Sequence, residues 1–345
     1  MSTPSESTPV VCRRATPADA AGIAELYDRV YGGHYPITEC TDPALIGTIL
    51  TERDYSWFLA VADDIVVGSS VAVPDSSNGS CEIGRAAVRP EYAGHGSFAM
   101  LFDATVADAV ARPENELLYG FARSDRARYL FERIEYPIHW TGTDGGMHRV
   151  GDAREEHLIG VTFNPKHPPV RILPPNPPVR VGSLVDTELR AMIGRTATGP
   201  YPAQLTARRT TDYLHESAHG RVAYSLFEPS RAAVVGELDA HTPADVRRLL
   251  WEVVDQAPAR VEHLTVYVVA DKQAVIAELC APDVAGRAFT ACAYLPGWHR
   301  GDGARYDCVM LTLRLDGRTP LRLGFNERVE ALHTSLTVPS PLSLR

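Results

Sequence analysis

Two closely spaced glycines, Gly94 and Gly96, stand where a strand gives way to a helix, and this spacing is typical of a phosphate-binding turn. The chain reads as a β-strand up to Val88, and the apolar residues of Phe98–Arg112 recur at helical spacing. Glycine allows torsions and a close approach of a ligand that side chains would prevent. The free N–H groups of a helix N-terminus stabilise an anion there. The segment therefore predicts an anion site made of backbone amides.

The elements around this turn predict an α+β domain. Thr16-Pro17 and Asp42-Pro43 each place an N-cap residue before a proline, which is typical of a helix start. The predicted helices are Ala18–Tyr31, Ala44–Arg53, Phe98–Arg112 and Arg126–Ile134, and the predicted strands are Val10–Arg14, Trp57–Ala62, Ile65–Val73, Glu82–Val88, Leu117–Ala122 and Pro137–Thr141. This order of elements is typical of a three-layer fold, in which helices flank a mixed, mostly antiparallel sheet.

Two motifs, VRPEYAGHGSF at 88–98 and ARYLFERIEY at 127–136, resemble the GNAT superfamily of acyl-CoA-dependent N-acyltransferases. In that family a strand ending in Val-x-Pro leads into an Arg/Gln-x-x-Gly-x-Gly/Ala turn that receives the cofactor's pyrophosphate. A late helix then lies beside the pantetheine arm. The resemblance covers residues 10–163 and implies that acetyl-CoA, or another acyl-CoA, is the cofactor. The cofactor-binding residues it implies are Ala86, Ala87, Val88, Ala93, Gly94, His95, Gly96, Ser97, Phe98, Ser124 and Phe131.

The resemblance also implies a catalytic carboxylate. Attack by an amine on a thioester needs a base, and Glu82 lies six residues before Val88, where several members of the family carry it. Four family residues are replaced. Ala93 stands in place of the Arg or Gln that begins the turn, Phe98 in place of the Gly or Ala that ends it, and Phe131 in place of a tyrosine that meets the leaving thiolate. Ser124 stands in place of an asparagine that contacts the cofactor arm. The general acid is therefore not assigned.

The acceptor is expected to be an amine of a small molecule. Polar residues near the end of the first helix and in the late strands are candidates for binding it, namely Tyr31, His34 and His139, with Tyr35 and Asp144 nearby. Two other functions stay open. The donor could be an acyl-carrier protein, because a carrier arm has no pyrophosphate to be met at Ala93, or the protein could bind acyl-CoA in a regulatory role without turnover.

The second half is expected to repeat the plan in a degenerate form. Seven of the fifteen residues of 164–178 are proline, which predicts a linker. Residues 179–320 are expected to form a second GNAT-like domain without a CoA loop, because no glycine occurs from Glu237 to Ala285, and residues 321–345 a C-terminal strand or tail. The predicted helices of residues 179–320 are Thr187–Ile193, Pro202–His215, Pro243–Gln256 and Lys272–Cys280. The predicted strands of the same segment are Val179–Val181, Val222–Phe227, Ala232–Leu238, His263–Val269, Arg287–Tyr294 and Cys308–Leu315.

Composition narrows the class of partner. The 345 residues are 45% apolar with a net charge of −9, which favours neither nucleic acid nor an anionic membrane as partner. No apolar run is long enough for a membrane span, so a cytoplasmic protein is expected, with a homodimer left open. The six cysteines lack the spacing of a zinc site and are expected to be free thiols, and no metal ligands are predicted. Residues 1–9 are expected to be a disordered tail.

Overall fold

The structure is a computed structural model that describes residues 9–94, 96–123, 138–175, 180–181, 192, 195–207, 209, 211–301, 303–323, 330 and 336–337. It divides into two compact units: unit one is residues 1–74 and 81–115, and unit two is residues 75–80 and 116–345. The fold is mixed α/β with mostly antiparallel pairing, as predicted. The helices of the described residues are α1 (Ala20–Tyr31), α2 (Pro43–Glu52), α3 (Ser97–Val110), α4 (Pro243–Gln256) and α5 (Gln273–Cys280).

The strands follow the predicted order over most of the chain. In the first part they are β1 (Val11–Arg14), β2 (Ser56–Ala62), β3 (Ile65–Asp75), β4 (Ser80–Val88), β5 (Leu117–Ala122), β6 (His139–Thr143), β7 (His148–Val150), β8 (Ala153–Glu155) and β9 (Leu158–Phe163). In the second part they are β10 (Val170–Ile172), β11 (Arg180–Val181), β12 (Arg195–Ala197), β13 (Tyr213–Ser217), β14 (Gly220–Phe227), β15 (Ala232–Ala240), β16 (His263–Val269), β17 (Thr290–Gly301), β18 (Ala304–Arg314) and β19 (Leu336–Thr337).

Unit one places its sheet between helices. Strands β1, β2 and β3 pair antiparallel in that order, and β4 lies next to β3. Helices α1 and α2 cover a core that includes Ile23, Tyr27 and Trp57. Helix α3 packs on β2 and buries the residues that its sequence periodicity predicts, which are Leu101, Phe102, Thr105, Val106, Ala109 and Val110. Apolar spacing therefore determines which face of α3 packs on the sheet.

The predicted caps form. The Asp19 carboxylate accepts hydrogen bonds from the Thr16 N–H and hydroxyl, each at 2.8 Å, in a short 3-10 turn that precedes α1. The Asp42 carboxylate accepts from the N–H groups of Ala44 at 2.8 Å and Leu45 at 3.3 Å. These bonds satisfy N–H groups that a helix start leaves without intrahelical acceptors.

Removing the Asp42 cap is expected to destabilise unit one. Asp42→Ala removes the oxygen that accepts both hydrogen bonds and should lower the free energy of unfolding by about 1 kcal/mol. Asp42→Asn keeps a capping oxygen, so its free energy of unfolding should stay close to that of the wild type. Urea denaturation followed by circular dichroism measures both values. Equal losses for the alanine and asparagine variants would contradict a capping role.

Unit two contains the order β5-β9-β6-β17-β18-β16-β15-β14-β13. Neighbours pair antiparallel except for β15 and β16, which are parallel and are connected through α4. Its core lies around Tyr267, Trp298 and Met310. Val170–Ile172, within the proline-rich stretch, pairs with both β12 and β18, and the buried Arg171 guanidinium is 2.7 Å from the Asp307 carboxylate. The domain boundaries and the repeat relationship between the two halves stay predictions.

One predicted helix of unit two is wrong, and one predicted strand is shifted. Pro202–His215 is not a helix, because Leu205–Ala207 runs along β16 with the Ala207 N–H donating to the Tyr267 carbonyl at 2.9 Å, and the chain then enters β13. The strand predicted over Arg287–Tyr294 begins at Thr290 and continues to Gly301 as β17. The helices predicted over Thr187–Ile193 and Arg126–Ile134 lie almost wholly or wholly outside the described residues.

Two further findings concern the state of the cysteines and the length and polarity of the helices. All six cysteines are free, and Cys40, Cys81, Cys292 and Cys308 are buried. Among the described residues, the helices are all too short or too polar to span a bilayer.

Candidate functional site

The predicted phosphate turn has the backbone that its glycines allow. Gly94 and Gly96 have φ values of 84° and 80°, in the left-handed region, and α3 begins at Ser97. A Cβ added at either glycine would meet no atom within 4 Å, so the turn is open on both sides. The glycines are therefore required by backbone conformation. His95, between them, lies outside the described residues, and Ala93 before them is exposed.

The N-terminus of α3 has several donors at this turn. The first N–H groups of a helix have no intrahelical acceptor, and the first turn of α3 carries no acidic side chain that would compete for them. The Ser97 side chain is 2% exposed, and its hydroxyl has no hydrogen-bond partner among the residues that the structure describes. Phe98 is half-buried and stacks on Phe102, with ring centroids 5.9 Å apart. The turn can thus offer amides and one hydroxyl to an anion.

Strand β4, which leads to this turn, is interrupted at Arg85. Its φ of 50° lies in the left-handed region, which is unusual for a residue other than glycine. The Tyr27 hydroxyl donates to the Arg85 carbonyl, and the Tyr31 hydroxyl donates to the next carbonyl, that of Ala86, at 3.3 Å. Two tyrosines one turn apart on α1 therefore satisfy consecutive carbonyls that a regular strand would give to its neighbours.

The tyrosines form a packed aromatic cluster beside β4. Tyr35 lies 4.8 Å from Tyr27 and 4.5 Å from Tyr31, measured between ring centroids. Burial raises the pKa of Tyr27 well above its usual value, so this phenol stays neutral and acts as a donor. Burial likewise raises the pKa of the adjacent Cys40 thiol to about 12, which makes it a poor nucleophile at neutral pH.

The Arg85 side chain places a buried positive charge next to Glu82. Its guanidinium is 2.5 Å from the Glu39 carboxylate and lies over the Tyr55 ring at 5.5 Å. Burial alone would lower the pKa of Arg85, but the charges of Glu82 and Glu39 raise it above its ordinary value. The guanidinium thus stays charged, with Glu39 as its ion-pair partner and Glu82 as a further nearby negative charge.

Glu82 itself is half-buried on the same face of β4 as Gly84. A Cβ added at Gly84 would lie 3.3 Å from Glu82 Oε1, so the carboxylate reaches over a position that has no side chain. Gly84 thereby leaves open space next to the carboxylate. A carboxylate with open space beside it and a fixed cation near it can bind an amine and accept its proton.

The structure brings many, but not all, of the predicted site residues together. Glu82, Tyr31, Ala86, Ala87 and Val88 lie together on β4 and the adjacent end of α1, and Gly94, Gly96, Ser97 and Phe98 form the turn that follows in the same unit. His34 is exposed after α1, and His139 lies in β6 of unit two, where it is buried. Ser124 and Phe131 lie outside the described residues.

Sequence reasoning missed Arg85 and Glu39. A signal was present for Arg85, because the residue before it is Gly84, and a glycine within a strand is typical of a bulge or a close approach. Glu39 could not be found in this way, since it comes from a loop forty-six positions away whose path the sequence does not specify.

No protein-family model matches the sequence, and no curated protein is significantly similar to it. Matching solved structures include a ribosomal-protein-alanine N-acetyltransferase from Brucella melitensis, which is 16% identical with a TM-score of 0.38 over 44% of this chain and 99% of its own. An acetyltransferase of the GNAT family from Streptococcus pneumoniae is 15% identical with a TM-score of 0.39, over 45% of this chain and 99% of its own. A GNAT superfamily phosphinothricin acetyltransferase from Sinorhizobium meliloti, solved with acetyl-CoA, is 15% identical with a TM-score of 0.38, over 45% of this chain and 88% of its own. This chain is thus similar, over less than half of its length, to solved acetyltransferases of the GNAT family.

Proposed function

We propose that the protein is an N-acyltransferase of the GNAT type, in which unit one transfers an acyl group, in the first instance acetyl, from CoA to an amine of a small molecule. The observation that carries the proposal is the continuity of β4 with the turn. One strand presents the Glu82 carboxylate beside open space and then delivers the chain to a left-handed glycine turn at a helix N-terminus.

The residues at the turn fit a pyrophosphate. Its anionic oxygens would accept from the N–H groups at the start of α3, where the helix dipole favours negative charge. The Ser97 hydroxyl, buried without a partner, would gain one, and an unsatisfied buried hydroxyl costs about 1–3 kcal/mol. The backbone of Ala86–Val88 would pair with the pantetheine arm as an added strand.

When bound, acyl-CoA supplies the thioester whose acyl group is transferred. Glu82 accepts a proton from the incoming amine, directly or through one water, because only the neutral amine has a free electron pair for attack. Arg85 and Glu39 fix the electrostatic environment of that carboxylate, and Tyr27 and Tyr31 hold the β4 carbonyls in place. The residue that protonates the departing thiolate is not assigned.

One observation favours a different acyl donor, an acyl-carrier protein. Ala93 is exposed at the turn and has no charged group with which to meet a pyrophosphate. An acyl-carrier protein, which presents the same arm without the nucleotide pyrophosphate, would not need that charge. Native mass spectrometry of the purified chain with acetyl-CoA, and turnover of an amine panel with acetyl-CoA or an acetylated carrier protein, separate the donors. Binding of acetyl-CoA without turnover of any amine by either donor would favour a regulatory acyl-CoA-binding protein.

Gly96→Ala tests the phosphate turn. A side chain at a left-handed position costs roughly 1–2 kcal/mol, so the free turn of the variant should relax and binding would have to restore its conformation. Because about 1.4 kcal/mol is tenfold in affinity, the Kd for acetyl-CoA should rise about tenfold. The control is Gly286→Ala, which introduces the same strain in unit two at φ 75° in open space. Isothermal titration calorimetry measures both. A Gly96→Ala variant that binds acetyl-CoA as tightly as the control would contradict a pyrophosphate at this turn.

A further inference from the structure

Three side chains with metal-binding atoms converge in unit two, at the loop that follows β6. Asp144 Oδ2 lies 2.7 Å from His148 Nδ1 and 3.9 Å from His157 Nδ1. One ligand atom from each of the three residues lies within 4.8 Å of the other two. The Asp144 carboxylate is completely buried, whereas the His148 side chain is 22% exposed. The group therefore has a buried anchor and an edge that solvent can reach.

The backbone holds the Asp144 carboxylate in one orientation. Its Oδ1 accepts from the N–H groups of Gly146 and His157, each at 2.9 Å, and this leaves Oδ2 facing the two imidazoles. A Cβ at Gly145 would lie 2.4 Å from Thr312 Oγ1, so the turn is packed closely against β18. The carboxylate is thus preorganised by backbone N–H groups and not by the two imidazoles.

His157 is oriented from its other side. Its ring stacks on that of His148, with centroids 4.3 Å apart and planes 21° from parallel. The buried His157 Nε2 has no hydrogen-bond partner and lies 3.6 Å from Glu155 Oε2. Arg123 holds Glu155 by two hydrogen bonds of 2.5 and 2.6 Å. A carboxylate behind an imidazole is the arrangement that orients histidine ligands in metal sites.

We propose that Asp144, His148 and His157 bind a divalent transition-metal ion, with Glu155 orienting His157. Two imidazoles and one carboxylate suit zinc, cobalt or iron better than magnesium or calcium. Ligand atoms about 2.0–2.2 Å from a common ion lie roughly 3.3 Å apart, so His148 would move away from Asp144 and His157 towards it, each by less than about 1 Å. Three protein ligands leave a position for water or a further ligand. The site departs from the sequence-based expectation of no metal ligands.

A hydrogen-bonded Asp144–His148 pair with a purely structural role is the competing interpretation. It accounts for the 2.7 Å contact but not for His157, whose Nδ1 lies 3.9 Å from the same oxygen, beyond hydrogen-bond distance. A bound ion would account for the direction of both rings.

Cobalt titration of the full-length, chelator-treated protein tests the proposal. We expect one Co²⁺ per chain with the visible absorption of a low-coordinate site, displacement of Co²⁺ by Zn²⁺, and no competition from Mg²⁺. His148→Gln and His157→Gln should each weaken Co²⁺ binding at least about tenfold, and Glu155→Gln should weaken it by about 10-fold or more. His148 is partly exposed, so its variant should fold, and circular dichroism confirms this for each protein.

The matched control is His219→Gln. The His219 imidazole also lies between two carboxylates of unit two, 3.1 Å from Asp245 and 3.8 Å from Glu252, but its side chain is 30% exposed on the surface. We expect it to bind Co²⁺ like the wild type. The proposal is overturned if wild-type protein binds no Co²⁺, if His148→Gln binds it as tightly as wild type, or if His219→Gln is the variant that loses it.

Discussion

Replacing Glu82 by glutamine is expected to lower kcat for amine acylation at least about tenfold, and to leave the Kd for acetyl-CoA unchanged, since a general base typically contributes about 100-fold or more to the rate. Glutamine keeps the length and shape of the side chain and removes its ability to accept a proton. The phosphate turn, which lies further along the chain, does not depend on this carboxylate.

The surroundings of Glu82 make this variant informative. The carboxylate reaches over Gly84. The Arg85 guanidinium forms an ion pair with Glu39, and the charge of Glu82 also raises its pKa. Glutamine at position 82 leaves the Arg85–Glu39 ion pair in place, so the buried guanidinium keeps a carboxylate partner and the strand should keep its conformation. A fall in kcat would then report lost chemistry, with circular dichroism and acetyl-CoA binding as the checks on folding.

The control is Glu91→Gln. Glu91 is an exposed carboxylate of the same unit, 2.8 Å from Arg29 at the surface, and its substitution changes the net charge equally. Steady-state kinetics over an amine panel, with acetyl-CoA saturating, measures kcat for both variants. If Glu82→Gln turned over at the wild-type rate, Glu82 would not be the base, and an equal fall in both variants would indicate a charge effect rather than catalysis.

Much of the fold could be predicted where local signals agree with burial. The strand Leu117–Ala122 was predicted with the bounds that the structure has, because a short apolar run is bounded by polar residues on both sides. Helix α2 begins one residue before its prediction, at the proline that follows the Asp42 cap. In the strand the same residues carry the local signal and fill the core, whereas at α2 the exposed Asp42-Pro43 pair sets the start of the helix and Ile46 and Ile49 fill the core.

Prediction failed where tertiary pairing decides the conformation. Residues 202–215 have spacings compatible with a helix, yet Leu205–Ala207 gives its backbone hydrogen bonds to β16. The β-branched pair Thr210-Thr211 precedes Tyr213–Ser217, which pairs with β14 across a tight turn. A neighbouring strand edge supplies this hydrogen bonding, and no local pattern encodes its presence.

The candidate site shows the same division. Gly94 and Gly96 were predictable because only glycine adopts their torsions without strain. The left-handed conformation of Arg85 was not predictable, since it depends on partners from elsewhere in the fold, namely Glu39 and the Tyr27 hydroxyl. Likewise Asp144 and His148 are four residues apart, but His157 joins them only because β7 and β8 form a hairpin.

Replacing Arg305 by methionine is expected to lower the free energy of unfolding of unit two by about 3–5 kcal/mol, the usual loss when one partner of a buried ion pair is removed. The Arg305 side chain is completely buried, and burial lowers its pKa to about 10 against the opposing charge of Glu116. Its guanidinium donates to Glu116 at 2.9 Å and to the carbonyls of Asn78 at 2.6 Å and Gly297 at 2.8 Å. Methionine would fill part of the space but would leave these acceptors without a donor.

Arg300 provides the matched control, because its guanidinium contacts the same carboxylate. It lies 3.2 Å from Glu116, but its side chain is 40% exposed, so Arg300→Met should cost at most about 1 kcal/mol. Urea denaturation followed by tryptophan fluorescence compares the two variants. A loss for Arg305→Met no larger than that for Arg300→Met would show that burial of the guanidinium contributes nothing.

A double variant separates the charge from the carbonyl contacts. Glu116→Gln in the Arg305→Met background removes the carboxylate that the first substitution leaves with only the partly exposed Arg300 as its cation partner, so part of the lost stability should return. The carbonyls of Asn78 and Gly297 still lack their donor, so the recovery should be incomplete. Full recovery would assign the whole effect to the ion pair, and no recovery would assign it to the carbonyls. The intermediate result that we expect means that Arg305 stabilises unit two both as a charge and as a donor joining two backbone segments.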